Sequence, residues 1–159
     1  MHSGPGTENA CESWNGTSWT EVNDMNVGRF ITAAAGTSTS ALNFGGSPPY
    51  PQGTAACESW NGTSWTEVAD LNSNRRALAG SGISNTSALA FSGFGPGSTT
   101  NTEQWNGSSW TEVNNVNTAV TEHMGAGTTT NALSFGGFLG LHETEEFSPV
   151  DGTQTVDDA

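Results

Sequence analysis

Large apolar residues in this chain come in short bursts separated by polar, glycine-containing stretches, and the bursts repeat. "ESWNGTSWTEV" at 12–22 returns unchanged at 58–68 and, as "EQWNGSSWTEV", at 103–113. Trp14, Trp60 and Trp105 fall 46 and then 45 residues apart, a period typical of repeats whose unit is one small sheet. Each phrase holds an Asn-Gly pair (15–16, 61–62, 106–107) that predicts a hairpin with a type I′ turn, in which both central residues take positive φ. A polar loop follows ("NDMNVGR", "ADLNSNR", "NNVNTAV"), then a strand of small residues ("ITAAAGT", "ALAGSGI", "EHMGAGT"). A tight connection leads to a further strand, "SALNFGG", "SALAFSG" or "NALSFGG".

Four short strands per unit predict an all-β fold, a β-propeller of four-stranded blades. The strand of Ala, Gly and Ser suits the innermost position, where backbones crowd, and the Trp-bearing strands suit the wider middle and outer parts. The whole of 1–159 reads as one repeat domain: a hairpin at 8–22, blades at 27–68 and 73–113, a third blade at 118–147, and a tail at 148–159. The third blade lacks a Trp hairpin of its own. Either an N-terminal hairpin completes it, or its own "TEEF" at 144–147 does, as a degenerate "TEQW". Propellers typically have about four to eight blades. Three blades are too few to close a ring, so the expectation is half of a six-bladed ring and a homodimer, with open head-to-tail assembly as an alternative. A fragment or engineered piece of a larger propeller is the other reading.

The residues resemble the kelch family. "FGG" at 44–46 and 135–137, varied to "FSG" at 91–93, resembles the diglycine that ends a kelch strand. The pairs Trp14 and Trp19, Trp60 and Trp65, and Trp105 and Trp110 resemble its aromatic pair, and Arg29 and Arg75 stand where a kelch blade often carries arginine. The Trp pairs are closer together than the family's usual aromatics, and Val120 replaces the arginine in the third unit. More loosely, the compact phrase resembles repeats of phage and environmental sequences with tail or adhesion assignments. That likeness implies a virion-associated or extracellular setting. Kelch propellers serve diverse functions, so the family resemblance implies fold alone.

Charge narrows the partners. The 159 residues hold 16 acidic side chains against three arginines and no lysine, a net charge of −13. Phosphate binding needs clustered Lys and Arg, so nucleic acid and anionic membrane surfaces are not expected partners. The acidity keeps a repetitive β protein soluble. No oxygen-ligand loop for a divalent cation appears, so no metal or cofactor is expected. The N-terminus shows neither the basic nor the apolar region of a signal peptide, and no apolar run approaches the roughly 18 residues of a membrane span. Cys11 and Cys57 occupy equivalent places in successive repeats, which normally lie farther apart than the about 7 Å that a disulfide needs, and read as free thiols, with a link between chains as the alternative.

No catalytic constellation emerges. His2, His123 and His142 do not pair at metal-ligand spacing, and no nucleophile elbow or phosphate loop is present. Asn15, Asn61, Asn106 and Asn85 head glycosylation sequons, the first three of which turn chemistry already explains. Glu58 and Glu103 stand two residues before a Trp and are expected to pair with Arg29 and Arg75 as structural ion pairs. The function expected is therefore a non-enzymatic binding or structural module that assembles by completing blades between chains. Its glycan or protein ligand would meet the loops that differ between repeats: 47–55 with Pro48, Pro49 and Tyr50, 95–101, and 139–145 with His142. The competing enzyme reading, a propeller hydrolase or lyase, needs carboxylates or histidines such as Glu122 and His123 to converge on one mouth.

Overall fold

The computed structural model describes residues 9–48, 52–138, 144–148 and 152–156, and among them there are fourteen strands and no helix. A hairpin comes first: β1 (Cys11–Trp14) pairs antiparallel with β2 (Trp19–Val22) and nothing else. Three four-stranded antiparallel meanders follow. Sheet 1 holds β3 (Ala33–Thr37), β4 (Ser40–Phe44), β5 (Cys57–Trp60) and β6 (Trp65–Val68). Sheet 2 holds β7 (Ala79–Ser84), β8 (Ser87–Phe91), β9 (Thr102–Trp105) and β10 (Trp110–Val113). Sheet 3 holds β11 (Met124–Gly127), β12 (Ala132–Phe135), β13 (Thr144–Ser148) and β14 (Gly152–Val156).

Two expectations need correcting. The 148–159 segment is not simply a tail, because residues 152–156 form β14; with β13 they complete sheet 3 from the chain's own C-terminal part. The Asn-Gly hairpins are not two-residue type I′ turns either. Trp14 pairs with Trp19, Trp60 with Trp65 and Trp105 with Trp110, so each loop has four residues, and of each Asn-Gly pair the glycine alone has positive φ. The asparagine acts as a cap: Asn15 Oδ1 accepts the N–H groups of Thr17 and Ser18, as Asn61 and Asn106 do in their loops. The wider loop sets the two indoles directly opposite each other, ring centroids 5.4 Å apart.

The sheets stack face on face and meet most closely along β3, β7 and β11. The small residues of these strands make that approach possible. A Cβ on Gly80 would lie 2.9 Å from the Ala34 carbonyl oxygen, and one on Gly125 would lie 2.5 Å from that of Gly80. Farther out, where the sheets diverge, large rings fill the space. Leu42 and Phe44 of sheet 1 pack on Trp105 and Trp110 of sheet 2, and Phe44 meets Trp110 edge-on at 5.1 Å. Sheets 2 and 3 share a smaller core of Leu89, Phe91, Val116, Ala132 and Phe147. The extra residue in the second repeat is absorbed by a register shift in β7 between Gly82 and Ser84.

Backbone bonds also link the sheets in series. Ala77 N–H donates to Ile31 O and Glu122 N–H to Ala77 O, and all three residues hold positive φ, 47°, 51° and 56°. An unfavourable backbone conformation kept at one column of the repeat by Ile, Ala and Glu alike is imposed by stacking, not by side-chain preference.

Candidate functional site

The Trp hairpins of sheets 1 and 2 are each anchored by a buried carboxylate. Glu58 of β5 accepts the N–H of Asn26 at 2.7 Å, its Nδ2 at 2.8 Å and Arg29 Nη2 at 3.1 Å. Glu103 of β9 repeats the set with Asn72 N at 2.7 Å, Asn72 Nδ2 at 2.8 Å and Arg75 Nη2 at 2.6 Å. Both ion pairs are fully enclosed, with side-chain exposures of 2% or less. Arg75 also donates to the Ser92 and Asn101 carbonyls, and Arg29 to those of Gly45 and Ala56, so each guanidinium ties the loop before one strand to the ends of two others. Burial pulls the Arg75 pKa below its ordinary value, and Glu103 opposes that shift.

Sheet 3 keeps the carboxylate without the arginine. Glu145 accepts the N–H groups of Asn117 and Thr118, while Val120, in the arginine column, is held by Ser92 Oγ. Asn26, Asn72 and Asn117 were not singled out from the sequence. The signal was there: one asparagine in the same column of each polar loop.

Of the expected binding residues, Pro48 is half-buried at the end of sheet 1 and its carbonyl accepts Ser47 Oγ; Pro49, Tyr50 and His142 lie outside the described residues. His123 is buried against Phe91, ring centroids 5.8 Å apart, with neither ring nitrogen hydrogen-bonded, and burial pushes its pKa down to about 4. Cys57 is likewise enclosed, its thiol pushed up to about 12, while Cys11 is half-exposed; both are free thiols. Asn85 spends its side-chain amide on Ser59 Oγ and the Trp60 carbonyl. No group of three or more metal-ligating side chains occurs among the described residues. The cleft along β3, β7 and β11 is lined by Ala, Gly, Ser and Thr, without a carboxylate or imidazole among its lining residues.

The conspicuous surfaces are the two ends of the stack. On sheet 3, Leu133 and Phe135 are 41% and 38% exposed, with Met124 beside them; their counterparts Leu42, Leu89, Phe44 and Phe91 are at most 3% exposed. At the other end Trp14 and Trp19 are 47% and 62% exposed, while Trp60, Trp105 and Trp110 are buried. Beside them β1 has one strand edge unpaired among the described residues, and a groove of about 390 Å³ opens between the hairpin and sheet 1, lined by Cys11, Trp14, Trp19, Val22, Trp60 and Trp65 among others. Buried internally and bare at the ends, these positions form exposed apolar faces whose counterparts are packed inside the stack.

No protein-family model matches the chain. No curated protein matches it either. Among solved structures it is similar to that of YjhT, a β-propeller-like fold, with a TM-score of 0.70 and 15% identity over 87% of this chain and 49% of that one. The chain therefore spans about half the length of YjhT, and the likeness is one of fold: an all-β, propeller-like stack.

Proposed function

We propose that this chain is a non-enzymatic binding or structural module of kelch-like propeller blades that closes a ring with a second copy of itself, three blades from each chain. The observation carrying this reading is the matched pair of bare ends: an aliphatic-aromatic face on sheet 3, and a Trp-lined groove with an open strand edge at the hairpin. Each is half of the contact that sheets 1 and 2 make internally. Half the length of a propeller-like neighbour is also what one of two ring-sharing chains would cover. The loops that differ between repeats, 47–55, 95–101 and 139–145, then offer a glycan or protein ligand its contact surface, in the adhesion setting that the repeat's phage likeness implies.

Light scattering across a wide concentration range tests it. A plateau at the mass of two chains is the expected result. A single-chain mass at every concentration overturns ring closure, and a mass that grows without a plateau replaces the ring with head-to-tail assembly.

A further inference from the structure

The edge of β12 in sheet 3 is a seat that two segments of this sequence fit, and the structure shows one of them in it. β13 pairs there as Ala132 with Phe147, Leu133 with Glu146, Ser134 with Glu145 and Phe135 with Thr144. In sheet 1 the same edge carries a Trp hairpin: Ala41 with Trp60, Asn43 with Glu58 and Phe44 with Cys57. Laid on that register, β1 would sit as Trp14 opposite Ala132, Glu12 opposite Ser134 and Cys11 opposite Phe135. Phe147 and Trp14 thus compete for one position, and so do Glu145 and Glu12.

The resident segment fits imperfectly. Where Trp105 stands in sheet 2, sheet 3 has only Phe147, and a cavity of about 10 Å³, room for roughly one water, remains between Phe91, Val116, Ala132 and Phe147. The absent segment lacks what the seat offers. Trp14 and Trp19 are bare, and Glu12 is exposed, without the loop N–H donors that Glu58, Glu103 and Glu145 each accept.

We infer that β13–β14 is an intrachain occupant which the β1–β2 hairpin of a second copy displaces, so that ring closure is a reciprocal strand exchange. This rests on the two-chain ring proposed above and names its seam. Trp14 of the partner subunit takes the place of Phe147 and fills the cavity. Glu12 of the partner subunit accepts the Asn117 and Thr118 N–H groups that Glu145 releases. Phe135 enters the groove between the partner's β1 and its sheet 1, facing Trp65 of the partner subunit as Phe44 faces Trp110. The unpaired edge of β1 is closed by strand addition.

Hydrogen exchange on the unaltered full chain, at concentrations either side of the dimer transition, reads the exchange directly. Expected are protection gained at 11–14 and lost at 144–148. The second measurement uses Phe135→Cys, which sets a thiol opposite Cys11 of the partner subunit. Mild oxidation with diamide should give a covalent dimer linked through position 135 and Cys11, and Cys11→Ser should abolish it. A two-chain mass with 144–148 still protected and no such cross-link overturns the exchange while leaving ring closure standing. A single-chain mass throughout overturns both.

Discussion

At the scale of single residues, His123 makes the stability of sheet 3 sensitive to acid. Its folded pKa of about 4 lies below the roughly 6.5 of an exposed imidazole, so between those values the unfolded chain binds a proton that the folded chain refuses. The stabilisation from a neutral buried ring is complete above about pH 6.5 and is lost as pH falls toward 4, on the order of 3 kcal/mol in all. Leu78 fills the same column of the second repeat, and neither nitrogen of His123 has a partner. His123→Leu should therefore raise the melting temperature, by more at pH 5 than at pH 8, in thermal unfolding followed by circular dichroism.

Arg75 presents the opposite case, a buried charge with every reason to stay. Arg75→Met strands the enclosed Glu103 carboxylate and frees two buried carbonyls, and should cost about 3–5 kcal/mol in urea unfolding. Adding Glu103→Gln should recover part of that loss, because the stranded charge is removed. The pairing of Arg75 with Glu103 was legible in the sequence because both residues recur at fixed places in the repeat. Their asparagine partners sit in the same columns but read as ordinary loop polarity. The positive φ shared by Ile31, Ala77 and Glu122 was not legible at all, since nothing common to those three side chains announces it.

At the scale of strands and sheets, the small-residue column at 34, 80 and 125 governs how near two sheets can come. Gly80 and Gly125 let their neighbours approach to distances no methyl would tolerate, yet the first repeat has Ala34 there. Inside the chain Ala34 faces no preceding sheet; at a seam between chains its methyl would confront the inner strand and Phe135 of the partner subunit. The proposed seam would thus be wider than the internal junctions, and Ala34→Gly should tighten the dimer severalfold by analytical ultracentrifugation, even at up to about 1 kcal/mol of strand stability. A weaker dimer would mean that β3 does not lie at the seam. Sequence legibility at this scale followed side-chain size. Strands marked by Trp, Phe or runs of Ala and Gly could be read, while β14, "GTQTV", carries one apolar residue and passed for tail. The hairpin loops were mistaken because asparagine in a turn can supply either positive φ or a side-chain cap, and here it supplies the cap.

At the scale of the whole molecule, charge opposes what the bare ends promote. Two chains at −13 each repel, while the contacts proposed to join them are aromatic and aliphatic. Raising ionic strength from about 0.05 to 0.5 M shortens the screening length severalfold, so the dimer fraction at fixed concentration should rise with salt. A dimer that salt dissolves would point to an ionic seam in place of the apolar one described here.

The two ends of the stack are unlike: one offers Leu133 and Phe135, the other a Trp-lined groove. The molecule consequently has a direction. In the proposed assembly copies would meet front to back, and the number in a finished ring would be set by how far each chain turns, not by any surface that recognises its own kind. Growth of this sort ends when the circle closes, or when a subunit spoiled at a single end arrives. A trace of protein carrying Phe135→Asp would still offer its intact hairpin end to a normal neighbour and pass nothing onward. It would act as a stopper, which makes such an assembly easy to poison.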